Sequence, residues 1–244
     1  MLDHIHLEKI FFMDIETVPQ FSNYAKIPDN LKKLWDHKTV LLNKMDDHKS
    51  ADELYHRAGI YAEFGKIICI SVGTFRKIEN DNLQFRIKTY YNHNETLILQ
   101  AFIDLMNDHF RPSVNFLCAH NGREFDFPYI SRRILINNLK IPSALDVAGK
   151  KPWEIEHLLD TLQLWRFGDY KNFTSLDLLC TILNVPTPKN DISGQDVWKI
   201  YWEENDLEKI VKYCEKDVLA IARLMMRFKG LSIIAEENIV HITD

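Results

Sequence analysis

The sequence is poor in cysteine and has no thiol pair at metal or redox spacing. Its four cysteines, Cys69, Cys118, Cys180 and Cys214, lie far apart among apolar neighbours, with no CxxC. They read as reduced thiols in a core, which suits a reducing, cytoplasmic setting. The histidines His4, His6, His37 and His48 form no zinc-like set and are assigned to the surface. No apolar run is long enough to cross a bilayer, so no membrane partner is expected. The first residues, MLDHIHLEKI, lack a basic start followed by an apolar stretch, so no secretory signal is expected. Positive charge is also short. The net charge is −5, so no broad basic field advertises nucleic acid, and any such partner must be held by a local site. Repeats, low-complexity tracts and linkers are absent.

What is present is an ordinary globular composition: 244 residues, 46% hydrophobic and 27% charged. That length supports a sizeable core. Ile10–Met13 reads as a buried strand. Residues 66–75 and 83–91 read as a second and third strand, joined as a hairpin by a polar turn. A helix is predicted over 95–110, a short buried strand over 114–120 and a helix over 127–139. Residues 157–165 look extended. A helix over 175–185 stops at Pro186, and helix returns from about Gly194 to Phe228. The order predicts an α/β fold, a mixed sheet with helices on its faces. Residues 20–62 read as a polar insertion, helical in pieces and too thin in apolar residues for its own core. The whole chain, 1–244, then forms one domain.

Three stretches carry acids in unusual places. In KIFFMDIETVP an apolar strand runs into Asp14 and Glu16. Strand side chains alternate, so both acids share one face with Phe12, while Met13 and Ile15 face the other way. Two close carboxylates repel, and a hard divalent cation such as Mg²⁺ or Mn²⁺ removes that penalty. A solvated strand end is the competing reading. CAHNGREFDFPYI places Asn121, Phe125 and Asp126 between a buried strand and a helix. That is where sites form in α/β folds, although Asp126 alone reads as the helix N-cap. IVKYCEKDVLAIARL puts Ile210, Cys214, Val218, Ile221 and Met225 on a core stripe, with Tyr213 and Asp217 four apart at its edge.

Taken in order, DIET, NGREFD and YCEKD resemble the three motifs of the DEDD superfamily of 3′–5′ exonucleases. They resemble most the stand-alone relatives of the family-B DNA polymerase proofreading domain. The histidine branch would have a histidine five residues before Asp217. That position is Lys212, so the chain resembles the tyrosine (DEDDy) branch. The resemblance implies an RNase H-like fold and two divalent cations, Mg²⁺ or Mn²⁺, held by Asp14, Glu16, Asp126 and Asp217. It implies catalytic roles for these four and for Tyr213, which would orient the attacking water. Ile15, Thr17, Asn121 and Phe125 would contact the terminal nucleotide. Asp160 is expected to make structural hydrogen bonds. Ser193 reads as a helix N-cap, and Lys189 stands beside it as a phosphate candidate. The implied substrate is the 3′ end of single-stranded DNA. The alternatives are an exoribonuclease of the ribonuclease D type and a non-catalytic nucleic-acid-binding module on the same fold. Protein partners are not legible.

Overall fold

The computed structural model describes residues 2–43, 49–79, 82–171, 173–186 and 192–242. Lys189 and His48 lie outside the described residues. A six-stranded mixed sheet forms the centre. Its strands are β1 (Ile10–Pro19), β2 (Gly65–Lys77), β3 (Leu83–Tyr91), β4 (Phe116–Ala119), β5 (Leu158–Asp160) and β6 (Ile239–Ile242). They lie in the order β5-β4-β1-β2-β3-β6. The hairpin β2–β3 and the pair β1–β2 are antiparallel, and β4, β5 and β6 join in parallel.

Alternation along β1 sorts its side chains between two cores. Met13 and Ile15 pack with α2 (Glu95–His109) and α3 (Asp126–Ile136), through Leu99, Phe102 and Ile130. Phe12 and Val18 face the long helix α7 (Leu207–Phe228). The stripe Ile210, Cys214, Val218, Ile221 and Met225 is wholly buried there, as its spacing predicts. Close approach of α7 requires a strand position without Cβ. At Gly73 an added Cβ would stand 2.3 Å from the Phe85 ring and 2.9 Å from Val218. This is the predicted α/β arrangement, an RNase H-like sheet with helices on both faces.

Three segments depart from the sequence reading. Residues 157–165 are extended only at Leu158–Asp160, then turn into the short helix α4 (Thr161–Arg166). Asp160 starts that helix by accepting from the Leu162 and Gln163 amides. The terminal strand β6 carries no strong pattern, because its residues are only half covered at the sheet edge. The insertion holds the helix α1 (Asp29–Leu42) and does close a small core, with Trp35 buried among Ile27, Leu54, Tyr55, Ala58 and Phe64. Few residues suffice because one large indole fills the space and donates to the Ala51 carbonyl at 2.8 Å.

Both ends of the insertion are tied to the sheet. The Gln20 amide donates to the Phe64 carbonyl at 2.9 Å. The Tyr129 hydroxyl donates to the Gly59 carbonyl at 2.7 Å. Arg133 on α3 reaches the Ala62 carbonyl at 2.8 Å and pairs with buried Glu95, which also accepts from the Ile67 amide at 2.7 Å. Short helices α5 (Leu176–Ile182) and α6 (Val197–Lys199) complete the α7 side, and α6 runs into a π-helical turn over Ile200–Glu204. Ser193 does not cap α6: its hydroxyl and amide bind the Asp196 carboxylate, and Asp196 occupies the N-cap. His4, His6 and His37 are exposed.

Candidate active site

The sheet leaves an opening beside β1. Strand β4 pairs with β1 only over Ile10–Phe12, so the end of β1 that carries Asp14 and Glu16 has no strand neighbour on that side. The loop after β4 fills the gap. Asn121 takes a left-handed backbone (φ 60°), which asparagine tolerates. Gly122 then packs so tightly that an added Cβ would meet that of Ala119 at 2.4 Å. Asp160 pins the turn, accepting from the Asn121 and Arg123 amides at 2.9 and 3.1 Å, which is the structural role expected of it. Arg123 anchors the same loop to the Leu158 carbonyl at 2.7 Å.

The turn delivers Asp126 as the first residue inside α3, with Phe125 at the N-cap position. The Asp126 side chain is therefore turned to other use than capping. Its carboxylate accepts from its own amide and from the amide of Ile15. The free amide of β1 thus holds an acid from another segment. In this structure the Ile15 amide, expected to touch the terminal nucleotide, bonds the Asp126 carboxylate. The Ile15 side chain points into the α2/α3 core.

From the opposite side, α7 presents Tyr213, Cys214 and Asp217. Carboxylate oxygens of Asp14 and Glu16 and the Cys214 sulfur lie within 4.8 Å of one another. Cys214 Sγ stands 3.5 Å from both the backbone oxygen and a carboxylate oxygen of Asp14. Cys69, opposite Glu16 across the β1–β2 pair, hydrogen-bonds the Cys214 thiol. The register shifts between Glu16 and Thr17, so β2 spends an extra residue, Ile68, at this point. Such bulges re-aim strand ends beside sites. Tyr213 hydrogen-bonds Asp217.

Electrostatics follow from this crowding. Burial, then the charges of Asp126 and Asp217, holds the Asp14 carboxyl well above its ordinary range. Burial, then Asp14 and Asp217, does the same to Glu16. Burial foremost raises Asp126 and Asp217 to about 7. Burial, reinforced by the Asp217 charge, pushes the Tyr213 phenol far above its usual value, so it stays protonated. Burial likewise keeps Cys214 a neutral thiol.

The structure thus gathers Asp14, Glu16, Asp126, Tyr213 and Asp217 into one place. The secondary candidates divide. The Thr17 hydroxyl bonds the Tyr129 hydroxyl. Phe125 lies at the core edge against Tyr129, ring centroids 5.4 Å apart. Asn121 serves through its backbone. Two contributors escaped the sequence reading. Cys214 was visible only as a core position, since a thiol on a buried stripe has no spacing signature. His120 bridges Thr161 and the Thr174 carbonyl at 2.9 and 3.0 Å, a link between segments that are distant in sequence.

Nothing among curated proteins matches the chain. A family B DNA polymerase from the hyperthermophilic archaeon Pyrobaculum calidifontis is similar in structure, with TM-score 0.47 and 13% sequence identity. The alignment covers 91% of this chain and 24% of the polymerase, so the chain spans about a quarter of that protein's length. Residues 60–238 match a family described as a predicted 3′–5′ exonuclease related to the exonuclease domain of PolB. The matched span contains Asp126, Tyr213 and Asp217, while Asp14 and Glu16 precede it and join the site through the fold. With most of its length inside that match, the chain belongs to the family of predicted 3′–5′ exonucleases related to the PolB exonuclease domain.

Proposed function

We propose that the protein is a metal-dependent 3′–5′ exonuclease that removes nucleoside 5′-monophosphates from the 3′ end of single-stranded DNA. One observation carries the reading: four carboxylates from β1, α3 and α7 converge, and each of Asp14 and Glu16 has other acids as its strongest charged neighbours. Protein folds do not stabilise such a cluster by itself, whereas divalent cations do. The donors are carboxylate oxygens, which fit Mg²⁺ or Mn²⁺. The Cys214 thiol, kept protonated by burial, leaves that oxygen set unchanged in character.

Asp14, Glu16, Asp126 and Asp217 would together hold two cations, Asp14, Glu16 and Asp217 on the side of the attacking water and Asp126 on the side of the second ion. Bound there, the ions supply Lewis acidity, lowering the pKa of the attacking water and neutralising charge on the scissile phosphate and leaving 3′ oxygen. The remaining work belongs to the chain. Ile15 fixes Asp126 through its amide. Tyr213 stays protonated, so it acts as a hydrogen-bonding guide for water rather than as a base. Single strands are favoured because a paired end must be melted before its last nucleotide reaches so enclosed a site.

The test is digestion of end-labelled single-stranded DNA with Mg²⁺ or Mn²⁺. Stepwise shortening of 5′-labelled strands, lost in EDTA, is expected. Digestion from the 5′ end, or undiminished activity in EDTA, overturns the proposal. RNA of the same sequence, run alongside, decides the ribonuclease D-type alternative.

A further inference from the structure

The segment between α4 and α5 carries unusual aromatic exposure. Phe167, Tyr170 and Phe173 are 77%, 76% and 65% exposed, on one short loop. Grouped apolar surface of this kind marks a binding surface. Phe167 also sits in a left-handed backbone (φ 45°), a conformation that bulky residues adopt only at a cost. That conformation ends α4 as its C-cap, and it leaves the ring exposed.

The loop is fastened at both ends to the turn that carries Asp126. Arg166 pairs with Glu124 at 3.5 Å, two residues before Asp126. The Thr174 carbonyl bonds His120, next to Asn121. Helix α5 follows at once and packs on α7 through Leu179 and Cys180 against Ala220 and Leu224. Arg166 and Lys171 stand on either side of Tyr170, and Asp169, between Phe167 and Tyr170, accepts from the Lys171 amide at 3.0 Å. Arg166 lies 6.0 Å from the Tyr170 ring centroid, and exposed Lys171 follows it.

We propose that Phe167, Tyr170 and Phe173 form a stacking platform for the bases of a single strand whose 3′ end lies among Asp14, Glu16, Asp126 and Asp217. The proposal rests on the exonuclease reading for the direction of the strand. The occupant follows from the chemistry. Every base offers a π-face, so aromatic side chains bind single strands without sequence preference, and the neighbouring cations Arg166 and Lys171 meet the phosphates. The neighbouring acid cluster, loaded with cations, would take the terminal phosphodiester.

The test measures binding of a short fluorescein-labelled single-stranded oligonucleotide by anisotropy in EDTA. The same strand's KM is measured with Mn²⁺. The variants are Phe167→Gly, Tyr170→Ala and Phe173→Ala. Each aromatic removed should weaken Kd and raise KM by about five- to a hundredfold, and Tyr170→Phe should retain wild-type values. Hydrolysis of thymidine 5′-monophosphate p-nitrophenyl ester, which reaches only the acid site, should be unchanged. Phe167→Gly should melt higher than wild type while binding less tightly, because glycine relieves the left-handed strain. Wild-type Kd and KM in all three alanine and glycine variants would overturn the proposal. Failure of the wild type to hydrolyse the ester would count against the exonuclease reading, and the anisotropy result would still decide the platform.

Discussion

Asp14 and its neighbours carry their protons further into the neutral range than the unfolded chain does. Unfolded carboxyls titrate near 4, whereas Asp126 and Asp217 titrate at about 7 in the fold. Between those values the folded state binds more protons than the unfolded state. Stability therefore falls as pH rises through this window, and the full penalty stands above about 7. In EDTA the melting temperature of wild type should drop between about pH 5 and about pH 8, which bracket this window. Asp14→Asn removes one repelling charge, so its drop should be shallower and its melting point at the higher pH above that of wild type. Equal slopes would make Asp14 a structural hydrogen-bonding residue. Catalysis is tested separately. Asp217→Ala should abolish single-turnover cleavage, and Tyr213→Phe should slow it by at most the roughly 10²–10⁴ of a positioned proton-transfer group. A wild-type rate for Tyr213→Phe would return that tyrosine to the core rim. At this scale the sequence is most legible where two acids or a tyrosine and an acid sit at a spacing that fixes a shared face, as at Asp14 and Glu16. It is least legible where a contact depends on backbone, as with the Ile15 amide on Asp126.

Elements were legible wherever periodicity was strong. The hairpin β2–β3, the helix α2 and the stripe of α7 follow from patterns of two and 3.6 residues. Residues 157–165 misled because an apolar run fits a buried strand or a buried helix equally well, and Asp160 with its capping bonds decides between them. Packing between elements was not legible at all. The pair Arg133–Glu95 joins α3 to the start of α2, with Ile67 and Asn137 also bonded to Glu95. Removing one partner leaves a buried uncompensated charge, which costs about 3–5 kcal/mol. Arg133→Met should therefore lower stability by about that amount in urea unfolding, with unchanged contact between Tyr213 and Asp217. A loss below about 1 kcal/mol would show that water reaches Glu95 and that the pair is no fastening.

Across the whole molecule, the site exists only when the chain is folded. Asp14 and Glu16 come from the first strand, Asp126 from the middle and Asp217 from the last long helix. Their order in the sequence suggested convergence, yet the distances depend on sheet order: β4 beside β1 but shorter, and α7 across the same strand. An unfolded chain has no such cluster, so a cation that binds the acids binds the folded state and little else. Mass action then adds about 2.7 kcal/mol at a hundredfold excess over the dissociation constant. For a chain of this length each kcal/mol moves the melting point by about 2–4 °C, so Mn²⁺ should raise it by roughly 5–11 °C. Asp14→Asn and Asp217→Ala should gain much less. Because Asp14→Asn also begins from a higher melting point in EDTA, the two curves should converge or cross as Mn²⁺ is added. Thermal denaturation of the three proteins over a Mn²⁺ titration measures this directly. Equal gains in wild type and both variants would place the cation elsewhere on the molecule and separate these acids from any metal.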